Sequence, residues 1–320
     1  MKLFETKIND ADISQITKVM SSGELGFGKN VHLFENHFSN FSNKKYNVST
    51  NSASAAAFMI YSYLRDTHGI CDVYTTSLGF TSPAWAAKHF GHNLYFVDVQ
   101  ENLQFCSKHY KKIRKPTKNR VVVMPVLYGG VSKILDFDLV GDEIVVADSA
   151  HCVTPTISSN FVFFSFHPYK PICTSDGGMI STDDSHANDY FLRYRNFGRE
   201  QQGNSYNISV DGFKFYMNNL NATIGLTQIK RYEHLLSQRK SNYEKLASSR
   251  VLLPHDNKSS YYFATTLCEN ADKTIENTGL SRHYPMLHKM EYYKSSQVLP
   301  FLENIHHKIL NLPLHELTIF

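Results

Sequence analysis

Lys170 closes the segment Ser165-Phe166-His167-Pro168-Tyr169-Lys170, which lies between the apolar run Phe161-Val162-Phe163-Phe164 and the pair Gly177-Gly178. An amine at the end of a buried strand can do covalent chemistry. Partial desolvation lowers its pKa and frees its lone pair to attack an aldehyde. Upstream, Glu143-Ile144-Val145-Val146-Ala147 ends at Asp148. Both apolar runs read as short buried strands. If they are parallel, their carboxyl ends share one sheet edge, where open α/β folds bind ligands. Asp148 and Lys170 would then face one crevice. A carboxylate for a pyridine nitrogen, beside an amine for an aldehyde, is the pair that pyridoxal phosphate (PLP) requires. On pattern alone the plainer readings stay open: a surface lysine, and an aspartate that caps Ser149-Ala150-His151.

A phosphate would need its own cradle. Ser52, Ala53 and Ser54 precede an alanine-rich helical run, and the amides and dipole at a helix amino terminus attract anions. An ordinary N-cap explains the same residues. Ser165 could add a hydroxyl from across the crevice. Phe80, in Ser77-Leu78-Gly79-Phe80, would lie on a loop after another strand, where a flat ring can stack on a cofactor. Simple core packing accounts for it equally well.

The elements that must position these groups follow from periodicity and punctuation. Strands are expected at residues 73–76, 94–99, 120–127, 143–147, 161–166 and 178–181, separated by helical or loop segments. Helices are expected at 8–20, 31–41, from 51 to about 64, and at 83–90. One long helix over 220–236 continues to 247. The alternation indicates an α/β fold with a mostly parallel central sheet and flanking helices, and the short strands and helices that follow indicate a small α+β C-terminal domain. The boundary is placed so that residues 1–230 form the large domain with its N-terminal arm and 231–320 the small one.

Bulk properties exclude several classes. The 320 residues are 42% hydrophobic, enough for a substantial core, and the formal charge is +4. The one dense basic cluster, Lys108 to Lys115, reads as a solvated face and argues against nucleic acid as a partner. Cys71, Cys106, Cys152, Cys173 and Cys268 lack the spacing of a disulfide framework or a metal site, so no metal is expected. With no signal-peptide pattern and no apolar run long enough for a bilayer, a soluble cytoplasmic protein is expected.

Taken in order, these segments resemble the DegT/DnrJ/StrS family of nucleotide-sugar aminotransferases, PLP enzymes of the aspartate-aminotransferase-like fold (fold type I). Ser22 to Gly28 with Phe34-Glu35 is similar to the family's amino-terminal glycine loop and helix. Asn51-Ser52-Ala53-Ser54-Ala55-Ala56 is similar to its phosphate motif, and Ser77 to Phe80 to its stacking loop. Asp148-Ser149-Ala150-His151 resembles its Asp-Ala-Ala-Gln/His segment. Ser165 to Lys170 with Asp176-Gly177-Gly178 resembles its Schiff-base lysine motif. Arg195 to Arg199, Gly212 to Met217 and His283-Tyr284-Pro285 with Leu287-His288 continue the series.

The resemblance implies that Lys170 holds PLP and moves protons, Asp148 pairs with the pyridine nitrogen, and Phe80 stacks on the ring. Ala53, Ser54 and Ser165 would bind phosphate, and His151 would sit by the ring's 3′ oxygen. Lys214 would reach the phosphate of a partner subunit in a homodimer with shared active sites. Glutamate would donate the amino group to a keto group on a nucleotide-linked deoxysugar. Another PLP enzyme of the same fold, a dehydratase or an amino-acid aminotransferase, is one alternative; a non-catalytic sugar-nucleotide-binding homologue is another. Lys170 counts against the dehydratase branch, which has a histidine there. Ala53 in place of the usual glycine implies less backbone freedom in the phosphate loop, and Tyr216 stands where many members carry a basic or polar residue. Residues 232–280 are short for the family's small domain, and the chain stops at Leu317-Thr318-Ile319-Phe320 where relatives add a helix. A trimmed small domain and a more open cleft are therefore expected.

Overall fold

The computed structural model describes residues 2–318; Ile319 and Phe320, part of the expected early stop, lie outside them. Seven strands form the central sheet: β1 (Tyr46–Thr50), β2 (Cys71–Thr76), β3 (Asn93–Val97), β4 (Arg120–Met124), β5 (Ile144–Asp148), β6 (Phe161–Ser165) and β7 (Gly178–Thr182). Their order is β1-β7-β6-β5-β4-β2-β3. The run β3-β2-β4-β5-β6 is parallel throughout. β7 is antiparallel to both its neighbours. The sheet is thus mostly parallel, in agreement with the alternating pattern of the sequence.

Strand residues feed opposite layers, as a period of two requires. Val122, Val146, Phe161 and Phe163 join one core with α3 (Ala53–His68), α4 (Thr81–His89) and α6 (Ser185–Tyr194). On the other face Val162 and Phe164 meet Phe34 and Phe38 of α2 (Lys29–Ser42) and Ala222 of α7 (Asn219–Lys230). Val121 and Val123 meet Tyr110 of α5 (Ser107–Ile113). Each large apolar side chain buried this way contributes roughly 1.5–3 kcal/mol. α1 (Asp10–Ser22) precedes these elements and is closed by a capping box between Asn9 and Asp12.

Two expectations need correction. The long helix is broken: α7 ends at Lys230 and α8 (Tyr232–Ala247) starts beyond Arg231, whose φ of −112° and ψ of 7° are not helical. The Arg231 guanidinium is held by Asp12 Oδ2 at 2.6 Å and the Lys7 carbonyl at 2.8 Å, which pins the break. Strand β1 has no counterpart among the expected elements, because only Val48 is an apolar buried member. Its polar Ser49 is satisfied by Glu35, which accepts from the Ser49 N–H at 2.9 Å and its hydroxyl at 2.7 Å. The exposed hairpin of β8 (Arg199–Gln202) and β9 (Ser205–Ile208) likewise carries no apolar period.

The C-terminal part builds a two-stranded antiparallel sheet from β10 (Phe263–Leu267) and β11 (Ile309–Pro313), with α9 (Ala271–Thr278) and α10 (Pro300–Ile305). Phe263, Leu302 and Ile309 share a core with Leu78, Phe96 and Leu3. No helix among the described residues is long and apolar enough to cross a membrane.

Candidate active site

The parallel pairing of β5 with β6 sets Asp148 opposite Phe163. Asp148 is therefore the last residue of its strand, and Lys170 follows the end of the next. The Lys170 N–H bonds the His167 carbonyl at 2.9 Å, a turn that brings the lysine back over the strand ends. Both residues line one cavity of about 290 Å³ at this sheet edge.

Asp148 is 4% exposed. Burial pushes its carboxyl up to about 6, while the Ala150 N–H, donating to Oδ1 at 3.0 Å, and the Lys170 charge oppose the rise. Burial drives the Lys170 amine down to about 7, against the attraction of Asp148. Its Nζ lies 4.5 Å from the centre of the Tyr262 ring, a cation–π contact. In the cofactor-free protein Lys170 should therefore react with an amine-directed reagent with a midpoint near pH 7, well below an ordinary lysine. Asp148→Asn removes the attraction that favours the ammonium, so the midpoint should move lower still. Labelling of the Lys170 peptide against pH checks both; a midpoint above about 9 would contradict the burial.

His151 is also buried. Its Nε2 is 2.8 Å from the Tyr284 hydroxyl, and its Nδ1 has no partner among the described residues. Burial, then the nearby Lys170 and His283, hold the ring neutral. With Tyr284 donating to Nε2, Nδ1 carries the proton and is free to donate to a ligand oxygen.

The amino terminus of α3 opens on the same cavity. Ser52 caps it: its hydroxyl accepts from the Ala55 N–H at 3.1 Å and its carbonyl from the Ala56 N–H at 3.1 Å. The Ala53 and Ser54 amides have no acceptor among the described residues. Ala53 is already helical, so the alanine costs no backbone freedom that this position uses. The tight fit comes instead at Gly178, which pairs with Ser165 across β6 and β7. A Cβ there would sit 2.5 Å from the Ser52 carbonyl carbon and 2.6 Å from the Ala53 nitrogen. Gly178→Ala should push the helix end away, weaken cofactor affinity at least about tenfold and cost roughly 1–3 kcal/mol of stability. Cofactor titration and denaturant unfolding measure the two; unchanged affinity would refute the placement of the cradle.

Ser165 lines the cavity beside this helix end. Phe80, the residue before α4, lines it too and leaves 56% of its surface exposed, a flat ring with an open face. Its edge meets Tyr284 at 5.9 Å between ring centres. The structure thus brings Ala53, Ser54, Phe80, Asp148, His151, Ser165 and Lys170 together. Lys214 stays outside. Its side chain is exposed over Tyr216, although the Asn51 N–H bonds the Phe215 carbonyl at 2.6 Å beside the cradle.

Sequence reasoning missed three aromatic members. Phe4, from the arm before α1, stacks on Tyr262 at 4.7 Å and on Tyr169 at 5.7 Å. Tyr262 precedes β10 and underlies Lys170. Tyr284 holds His151. Of these only Tyr284 sits in a motif that the sequence singles out; an isolated Phe or Tyr gives no signal in a chain with 22 Phe and 19 Tyr.

The residues present fit PLP. Two free helix amides and a serine suit the phosphate. The buried carboxylate suits the ring nitrogen, the orphaned Nδ1 the ring oxygen, the open Phe80 face the ring itself, and the near-neutral amine the aldehyde.

Comparison with known proteins agrees. Residues 6–318 match the model of the DegT/DnrJ/EryC1/StrS aminotransferase family. The spore coat polysaccharide biosynthesis protein SpsC of Bacillus subtilis is 26% identical, over 96% of this chain and 90% of that protein. The UDP-4-amino-4,6-dideoxy-N-acetyl-beta-L-altrosamine transaminase of Campylobacter jejuni is 25% identical, over 96% of this chain and 81% of its own length. The solved structure of Helicobacter pylori PseC, an aminotransferase involved in the biosynthesis of pseudoaminic acid, superposes with a TM-score of 0.87 at 20% identity, covering 99% of this chain and 94% of that one. At that identity it speaks for the fold.

Proposed function

The chain belongs to the DegT/DnrJ/EryC1/StrS aminotransferase family of PLP enzymes, and from that membership we propose that it moves the amino group of glutamate to a keto group on a nucleotide-linked deoxysugar. The reading rests on one observation: Asp148 and Lys170 follow neighbouring parallel strands to a single cavity that also receives the free amides of α3.

Bound there, PLP supplies an aldehyde that takes up amines and a cationic ring that accepts electron density. Lys170 would hold the aldehyde through its amine, and the same Nζ would take the proton from the substrate Cα and return it later in the transfer. Burial, by lowering its pKa, lets it act as a base near neutrality. Asp148 would pair its charge with the ring nitrogen. The Ala53 and Ser54 amides, the Ser54 hydroxyl and Ser165 would hold the phosphate, Phe80 would stack on the ring, and His151 Nδ1 would donate to the ring oxygen.

Residues 1–230 act as the cofactor-binding domain and 231–320 as the small domain in this reading. Two chains pair so that Lys214, exposed next to the cradle, serves the phosphate of the partner. The enzyme works in the cytoplasm, consistent with five cysteines that are all free. The Campylobacter jejuni relative is named as a transaminase of a UDP-linked amino sugar, which supports the acceptor class.

The test is a two-step assay on PLP-loaded protein. Glutamate alone should convert the bound cofactor to its amine form with release of 2-oxoglutarate. A panel of nucleotide-linked keto-deoxysugars should then return the aldehyde form and yield an amino sugar detectable by mass. Protein that takes up PLP but fails the glutamate step would point to another PLP enzyme of this fold. Protein that stays colourless with added PLP would point to a non-catalytic homologue.

A further inference from the structure

A second cavity, of about 770 Å³, runs along β3, the terminal strand of the central sheet. It shares no lining residue with the site above. Its wall carries Lys88, Lys112, Arg114, Lys115 and Lys294, and no aspartate or glutamate. Part of the basic cluster of the sequence lines this groove, with Lys112 and Lys115 exposed on its wall. The fold gathers its Lys112, Arg114 and Lys115 with Lys88 from α4 and Lys294 from the segment before α10.

Glu143 pairs with Arg114 on the wall itself at 3.3 Å, which leaves the free charge of the groove to its lysines. Asp138 pairs with Lys111, Asp142 with Arg120, and Glu303 with Lys289 at 2.8 Å; Glu291, close to Lys294 along the chain, is exposed and makes no ion pair among the described residues, but it does not line the cavity. Asp72, at the start of β2, accepts from the Asn93 and Asn119 amides at 2.7 and 2.9 Å. Lys88 donates to the Tyr292 carbonyl and lies over that ring. Lys112, Lys115 and Lys294 make no ion pair among the described residues. Like charges converging on a concave wall focus a positive potential that favours a multivalent anion.

The edge of β3 narrows the choice of anion. The Gln297 side chain accepts from the Phe96 N–H at 2.8 Å and donates to the Phe96 carbonyl at 2.9 Å, filling the place of an added strand. Strand alternation turns only the Leu94 N–H and carbonyl the same way. An acidic peptide therefore finds almost no ladder to extend, and a compact anion fits better. The volume lies within the range of about 300–1,000 Å³ for small-molecule sites.

We propose that this groove binds an oligophosphate, inorganic or carried by a nucleoside, through Lys112, Lys115 and Lys294. The test uses PLP-loaded protein, so that the phosphate cradle of α3 is filled, and titrates tripolyphosphate and a nucleoside triphosphate by calorimetry. Saturable binding of one anion per chain is expected, weakened at least about tenfold in the triple variant K112E/K115E/K294E and similarly in K112Q/K115Q/K294Q. Raising salt from about 50 to about 200 mM should weaken it several-fold. Aminotransferase activity without the anion should be unchanged in both variants. Tighter binding of the nucleoside form would assign the source to a nucleotide, and equal binding to phosphate alone. Binding that does not saturate, or that survives in both triple variants, overturns the proposal, as does retention of duplex DNA with no measurable affinity for tripolyphosphate.

Discussion

Lys170→Ala should lower turnover by about four orders of magnitude or more, and the protein should lose its covalently held cofactor colour while still folding. The side chain supplies two functions that no neighbour can replace. It is the amine facing the cavity, and it is the base whose pKa burial has already brought down to about 7. The other basic groups on the lining, His151, His167 and His283, are imidazoles, and none can form the lasting bond to an aldehyde that a primary amine forms. Alanine also relieves a buried charge beside Tyr262, so unfolding should show little loss of stability, separating a chemical role from a structural one. Added small amines should restore part of the proton transfer, since the vacated space admits them.

Asp148→Asn is expected to reduce turnover by roughly two to four orders of magnitude, with a much smaller change in KM for the amino donor. The substitution keeps the volume and an oxygen for the Ala150 N–H. What it removes is the charge. An uncharged amide cannot hold a proton on a ring nitrogen, so electron withdrawal at the reacting carbon is lost while substrate contacts persist. Burial pushes the Asp148 carboxyl up to about 6 in the cofactor-free protein. Below that pH the carboxyl takes up a proton, so binding of the cationic ring should weaken as pH falls through about 6 and be restored above it. The Asp148→Asn variant should lack that pH step. Cofactor affinity measured from about pH 5 to about pH 8, in both proteins, distinguishes the two cases.

The chemistry is legible in the sequence because its parts are local. Asp148 ends one apolar run and Lys170 follows another by a few residues, so strand identity alone predicts where they go, and the parallel β5–β6 pairing completes the argument. The same holds for Ser52 to Ser54, where capping pattern and helix start coincide. What cannot be read is carried by partners distant along the chain. The break at Arg231 depends on Asp12 and Lys7, and a helical period runs through it without a mark. β1 is held by Glu35 and by pairing with β7, not by an apolar run. Tyr262 reaches Lys170, and Phe4 reaches Tyr262, only through the fold. Residue types alone make Ala53 look restrictive; the helical backbone there shows that the close approach is made at Gly178 instead.

One measurement reaches the central claim directly. The PLP-loaded protein is reduced with borohydride, digested, and the peptide carrying the cofactor is sequenced by mass spectrometry. The account predicts a single adduct on Lys170, absent in Lys170→Ala. An adduct on Lys214 or any other lysine, or bound cofactor that reduction fails to fix, would contradict it.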